Sequence, residues 1–196
     1  NSSTPVLWYN ADALKKAGVG VPITWAEMKT ASEKLVASGM DCGFSFGWQS
    51  WVMVENYSAW HNLEIGTKEN GFAGLDTKFS INNNHVKRIL GQISDWSKTR
   101  LFKYGGRRGD SLSMFTNGEC AMWMNSSAYY GSIKKQAKFN YGQSMLPLDT
   151  EASSMRQNSV IGGATLWVLK GHDNDDYKGV ACLLYTSDAA DDRDSV

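Results

Sequence analysis

The 196-residue sequence has no apolar run approaching the ~18 residues that a membrane-crossing helix needs. It has no excess of either charge. Twenty Lys and Arg offset twenty Asp and Glu, which excludes a global field that would gather nucleic acid or an anionic membrane. Any anion held here is held by local dipoles or a few placed side chains. The first residues, Asn1-Ser2-Ser3-Thr4-Pro5, show neither the charged start nor the apolar stretch of a signal peptide. The three cysteines, Cys42, Cys120 and Cys182, form no Cys-x-x-Cys pair, and His61, His85 and His172 stand at no metal-ligand spacing, so no metal is expected. Cys42 and Cys120 are open to either a disulfide or two buried thiols. No Gly-x-Ser-x-Gly elbow, His-Glu-x-x-His or phosphate-binding Gly-rich loop occurs. Glu55, Glu64 and Glu119 would be the carboxylates of a glycosidase, but none sits in a motif that would set its pKa. No enzyme and no cofactor are expected.

What the chain does have is tryptophan, eight in all, several in polar surroundings. Large amphipathic rings in polar company either pack a core or wall a site for a small polar ligand. The hydrophobic content of 42% with 20% charged residues suits a packed domain.

Strands and helices alternate along the chain, which predicts an α/β fold. Pro5 to Tyr9 reads as a strand and Asp12 to Ala17 as a short helix stopped by glycines. Thr24-Trp25-Ala26-Glu27 is a capping box opening a helix with Met28, Ala31, Leu35 and Val36 on one face. Gly43 to Gly47 is a short strand, and Trp51 to Leu63 has helical spacing. Asn84 to Lys98 is a helix expected to turn Val86, Ile89, Leu90, Ile93 and Trp96 inward. A short helix at 111–116 follows, then a strand at Cys120 to Met124. A helix capped within Asn125-Ser126-Ser127 runs to about Gln136, and strands are expected at 141–145 and 164–169.

Six strings, in order, resemble the glycerol-3-phosphate-binding branch of the family 1 extracellular solute-binding proteins of ABC importers. They are Asn1 to Leu7 with Tyr9-Asn10; Cys42-Gly-Phe with Gly47-Trp-Gln-Ser-Trp51; Glu55-Asn56 with Ser58-Ala-Trp60; Asn117 to Met122; Lys138 to Gly142; and Ile161 to Val168. The resemblance covers residues 1–181. It implies a periplasmic-binding-protein-like two-lobed clamp, a monomer that closes on glycerol 3-phosphate in the periplasm and delivers it to membrane subunits, with no nucleic acid involved. A neutral oligosaccharide is the alternative ligand, and a glycerophosphodiester a further candidate. The resemblance divides the chain into a hinge-crossing strand at 1–8, the second lobe at 9–145 and a return crossing at 146–181.

The site residues it implies are Ser3, Trp48, Trp51, Ser126 and Gly163. Their chemistry suits the role. Ser126 precedes a helix whose first amides are unpaired, Gly162-Gly163 lets backbone approach a ligand, and Trp48 and Trp51, three apart, suit one helical face. Each has an ordinary alternative: N-cap, turn, hinge or lobe packing.

Two features depart from the family pattern. Trp123 stands where small hydroxyl residues are expected, and would alter ligand preference if it faced the cleft. Strand alternation puts Met122 and Met124 on one face and Trp123 on the other. From Cys182 to Val196 the chain reads like translated adapter DNA and is expected to be foreign to the protein.

Overall fold

A computed structural model describes residues 2–191. Asn1 and residues 192–196, the end of the expected foreign tail, lie outside the described residues. The chain divides into a larger unit, Ser2–Gly162, and a smaller one from Gly163 onward.

In the larger unit, β1 (Ser2–Ser3) leads into β2 (Pro5–Asn10), and Asn10 caps α1 (Ala11–Lys16), its Oδ1 accepting the Ala13 amide at 2.9 Å. The capping box forms as expected at the start of α2 (Trp25–Ala37). Thr24 Oγ1 accepts the Glu27 amide, and Glu27 Oε2 accepts the Thr24 amide, each at 3.2 Å. After β3 (Cys42–Phe46) come a π-helical turn, Trp51–Asn56, and its α-helical continuation α3 (Tyr57–Trp60). Helix α4 (Asn84–Lys98) is capped by Asn83 and buries Val86, Ile89, Ile93 and Trp96. Leu90, expected inward, is 43% exposed, because it follows Ile89 by 100° and falls off the buried stripe. Then follow α5 (Leu112–Thr116), β4 (Cys120–Ser126), a 3₁₀ turn at Ser127–Tyr129, α6 (Tyr130–Gln136) and β5 (Tyr141–Ser144).

The four long strands make one sheet in the order β3-β4-β2-β5. β3 and β4 run parallel, with Phe44 opposite Met122 and Phe46 opposite Met124; β2 runs antiparallel to both β4 and β5. Alternation then sorts the two faces. Leu7, Phe44, Phe46, Met122 and Met124 join Met28, Leu35 and Trp96 in the main core. Trp8 and Trp123, directly paired across β2 and β4, pack on the other face with Phe115 and Ile133. Trp123 is fully buried. Its indole N–H donates to Ser111 Oγ at 2.7 Å, and its ring stacks on Phe115. It therefore fills the lobe and does not line a cleft. The cysteine question resolves as well: Cys42 and Cys120, register partners in β3 and β4, are joined by a disulfide with their Cα atoms 4.7 Å apart.

β6 (Gly162–Gly163) straddles the boundary between the two units, and in the smaller unit the expected strand over 164–169 does not form. Leu166, Trp167 and Leu169 are instead 71%, 83% and 68% exposed. The run has strand-forming residues, but a strand is made by pairing with another, and among the described residues no strand pairs with it. Helix α7 (Asn174–Asp191) continues through Cys182, a free and exposed thiol, into the tail.

A buried polar cluster fixes where the chain goes after β5. Tyr57 donates its hydroxyl to Asp149 Oδ2 at 2.5 Å, and the Arg88 guanidinium donates to the same oxygen at 2.5 Å. His61 Nε2 accepts the Asp149 amide at 2.8 Å, which requires the proton on Nδ1, and Nδ1 donates to the Tyr57 carbonyl at 2.6 Å. Burial pushes the His61 pKa below its usual 6.5; the Tyr57 carbonyl and the Asp149 charge only partly oppose this, while Arg88 and His85 add to it. Folded His61 thus takes up its proton at lower pH than unfolded His61. Its contribution to stability is complete above pH ~6.5 and is lost as pH falls from there through the folded value. We expect urea midpoints to fall between pH 7 and 5, and this fall to shrink in His61→Gln; equal slopes in the two proteins would refute the assignment.

Candidate functional site

The sheet topology gathers several chain ends at one edge. β3 and β4 are parallel and finish there at Phe46 and Ser126, while antiparallel β2 begins there at Pro5. The edge outside the carboxyl ends of parallel strands is the usual place for a ligand crevice in α/β folds. Four of the five expected residues lie in the larger unit at or next to this edge.

Ser126 closes β4 and is 7% exposed. Its Oγ accepts the Ala128 amide at 3.2 Å, so it caps the 3₁₀ turn while its own O–H proton remains available to an acceptor. Its neighbours are held from both sides. Asn125 Oδ1 accepts the Ser126 amide at 2.7 Å, the Trp8 indole N–H reaches the Ser126 carbonyl, and the Ser127 amide donates to the Thr4 carbonyl at 2.8 Å.

Ser3, half-buried, lies just before β2, and Trp51, half-buried, begins the π-helical turn. The return segment brings these two together. A side-chain carbon built on Gly162 would lie 3.0 Å from Trp51 Cζ2, so the indole would have to give by a few tenths of an ångström, and 3.4 Å, an ordinary contact, from Ser3 Oγ. Glycine thus lets three chain segments meet closely there. The return segment is anchored on the way: the Gln157 amide donates to the Trp60 carbonyl at 2.9 Å, and the Val160 amide to Asn56 Oδ1 at 2.7 Å. Asn56 is fully buried, and its amide N–H also donates to the Trp51 carbonyl at 2.9 Å, supporting the π-turn. Single-turn π segments are common at functional sites. Asn56 was not legible as a site support, although it sits in one of the six strings.

Trp48 departs from expectation. It does not share a helical face with Trp51. Its φ is 48°, left-handed backbone that a bulky residue seldom adopts, and its carbonyl accepts the Val52 amide, so it precedes the helix instead of forming part of it. The cause is Gly47, where a side chain would meet the Arg108 carbonyl and Asn125 Nδ2, so the turn is pressed against the loop before α5. Trp48 is 40% exposed, with the Arg108 guanidinium 5.3 Å from its ring centroid. Arg108 was also missed; Gly-Gly-Arg-Arg-Gly reads from sequence as an ordinary basic loop.

Gly163 falls in the smaller unit. It is exposed, with φ at 151°, a region that a side chain would strain. A groove of about 420 Å³ in the larger unit runs beside Thr4, Gln143, Ser144 and Ser159, with Arg156 stacked over Trp60 and bonded to the Ile23 carbonyl at 3.1 Å. None of the expected site residues lines it. Among the described residues no group of three or more His, Cys, Asp or Glu side chains is placed to hold a metal, and no helix is long and apolar enough to cross a membrane.

Residues 1–187 match the family model of bacterial extracellular solute-binding proteins. The chain is 45% identical over 187 residues to the sn-glycerol-3-phosphate-binding periplasmic protein UgpB of Escherichia coli K12, a match covering 94% of this chain and 43% of that protein. The protein of the same name from Yersinia enterocolitica is 46% identical over the same coverage, and that from Pectobacterium atrosepticum 47% identical over 184 residues. The chain thus spans under half the length of these relatives. Among solved structures, the GacH receptor of Streptomyces glaucescens, determined unliganded and with acarbose, superposes with a TM-score of 0.63 at 24% identity, over 83% of this chain and 41% of that one. That likeness is one of fold.

Proposed function

Because the chain belongs to the bacterial extracellular solute-binding proteins, we propose that it is the ligand-binding part of a periplasmic component that hands sn-glycerol 3-phosphate to an ABC importer. The observation that carries the ligand is the identity of 45–47% to glycerol-3-phosphate-binding proteins across nearly the whole chain. Burial of Trp123 supports it further, since the departure from the family pattern nearest to Ser126 is packed in the lobe interior.

In this reading Ser3, Trp48, Trp51 and Ser126 form one wall of the crevice, and Gly163 lies on the crossing to the remainder of the clamp. The exposed run at 164–169 pairs with strands of that remainder. The protein performs no covalent chemistry. Ligand favours the closed clamp, and the closed form docks on the membrane subunits.

The test is thermal and urea unfolding of the complete gene product with glycerol 3-phosphate, glycerophosphocholine, maltose and inorganic phosphate. The preferred ligand at a hundred times its dissociation constant stabilises by about 2.7 kcal/mol. Trp48→Ala and Ser126→Ala are expected to weaken binding about tenfold each, the size of one lost stacking contact or charge-assisted hydrogen bond. Stabilisation by maltose alone would replace the ligand with a neutral sugar.

A further inference from the structure

We infer that Asn56 is a positioning residue of this crevice: it touches no ligand, but its side-chain amide sets the place of the Trp51 wall by bonding that wall and the return segment to one another. The inference rests on the functional reading above, in which Trp51 walls the crevice. It needs only groups that lie within the larger unit.

Asn56 closes the π-helical turn that Trp51 opens, and it is fully buried. A buried amide is costly unless both its ends are bonded, so its partners define its task. Nδ2 donates to the Trp51 carbonyl at 2.9 Å, and Oδ1 accepts the Val160 amide at 2.7 Å. The two ends cannot be exchanged, because a peptide N–H only donates and a carbonyl only accepts. One planar group thus joins segments 104 residues apart in sequence. Its bond to Trp51 spans five residues, the spacing of the π-turn itself, and so braces the turn from which the indole projects.

The return segment comes back to the same indole. Two residues after Val160, a side-chain carbon on Gly162 would lie 3.0 Å from Trp51 Cζ2. Trp51 is therefore held at both ends by one stretch of chain, at its carbonyl through Asn56 and at its ring through Gly162. The same stretch is tied to the helix by the Gln157 amide on the Trp60 carbonyl, and to the residue after Ser3 by Thr4 Oγ1 and Ser159 Oγ, 2.6 Å apart. Of these ties only those of Asn56 are made by a fully buried side chain, where water cannot stand in for a lost partner. Without Asn56 the turn and the return segment shift against each other, and the indole holds its ligand-facing place for only part of the time. Apparent affinity falls in proportion to that fraction. The loss is one of association, because the complex, once formed, keeps its ligand contacts.

The experiment is calorimetric titration and stopped-flow binding of sn-glycerol 3-phosphate to the complete gene product, for the parent, Asn56→Ala, Trp51→Ala, the double variant and Asn10→Ala. The last removes the cap of α1 at the far end of β2 and so lowers stability away from the crevice. Asn56→Ala is expected to weaken binding about tenfold through slower association, with dissociation near the parent's. In the Trp51→Ala background the same change should cost less than about twofold more, since the group it positions is gone. Asn10→Ala should stay within about twofold of the parent. If Asn56→Ala does not fold, Asn56→Ser, whose single hydroxyl cannot serve both partners, completes the same cycle. A parent that binds while the Asn56 variant binds within about twofold of it would overturn this inference and leave the functional reading standing. So would losses that multiply in the double variant, or an equal loss in Asn10→Ala, either of which would make Asn56 a support of the fold alone. A parent that binds maltose or glycerophosphocholine but not glycerol 3-phosphate replaces the ligand of that reading, and the same cycle with the ligand that binds then decides the role of Asn56. A parent that binds none of them overturns both.

Discussion

Replacing Cys42 and Cys120 together by Ser is expected to cost about 4.5 kcal/mol, the largest single effect in the chain. The bond closes a loop with a sequence separation of 78, and the loop-closure entropy it removes from the unfolded chain corresponds to about that energy at 25 °C. The folded state loses little, because β3 and β4 remain paired in parallel on either side of the bridge and both positions are fully buried in a small cluster with Met114. The loss therefore comes from a freer unfolded chain and should appear as faster unfolding only to the extent that the pairing itself loosens. Urea unfolding with and without reductant, compared with the double Ser variant, measures it. A difference under 1 kcal/mol between oxidised and reduced protein would show that the bond constrains nothing. An oxidised pair of this kind suits the extracytoplasmic setting of the family.

Asp149→Ala should be the next most damaging change, at about 3 kcal/mol. The Asp149 carboxylate is 2% exposed and accepts from Tyr57, from Arg88 and, through Oδ1, from the Glu151 amide at 3.1 Å. Removing it leaves three donors without their acceptor. Arg88, whose side chain is 26% exposed, can turn partly to water, which keeps the cost near the lower end of the range for broken buried pairs. Tyr57→Phe removes one donor and should cost roughly 1.5 kcal/mol. Denaturant midpoints of the two variants and their double would show strong non-additivity, since all these bonds meet on one carboxylate; additive losses would argue against a shared network. Burial opposes the charged form of Asp149, but the hydrogen bonds from Tyr57 and Arg88 outweigh it and hold the carboxyl below its usual 3.8. Its contribution is thus present above pH ~3.8 and lost as pH falls from there through the folded value, whereas the loss from His61 begins near pH ~6.5.

The cluster bears on the crevice through the chain that leaves it. Residues 149–162 run from His61 and Asp149 along the helix of residues 51–60, anchored at Trp60 and Asn56, to Gly162 beside Trp51 and Ser3. Loosening at Asp149 is therefore expected to lower ligand affinity without touching a site residue.

Much was legible without tertiary structure because it is set by near neighbours. The Thr24–Glu27 capping box, the stripe of α4 and the alternation of Met122, Trp123 and Met124 each depend on residues within one turn or one strand. The six ordered strings identified the family for the same reason, being local runs of residues. What local order cannot carry is which face of a strand meets the cleft, whether two cysteines 78 residues apart come into register, or what backbone a tryptophan adopts. Trp123 went to the interior because β4 lies between β3 and β2, where both faces of the sheet are covered. Trp48 was forced off the helical face by contact between Gly47 and a loop some sixty residues away, and Arg108 acquired its place on the indole from that same contact. The run at 164–169 shows the converse: its residues favour a strand, yet a strand is a property of a pair, and among the described residues no strand pairs with it. The sequence by itself determined most of the elements, the Thr24–Glu27 capping box and the family. Tertiary contact alone decided the register of the disulfide, the burial of Trp123 and the backbone of Trp48, because each depends on groups brought together across long stretches of chain.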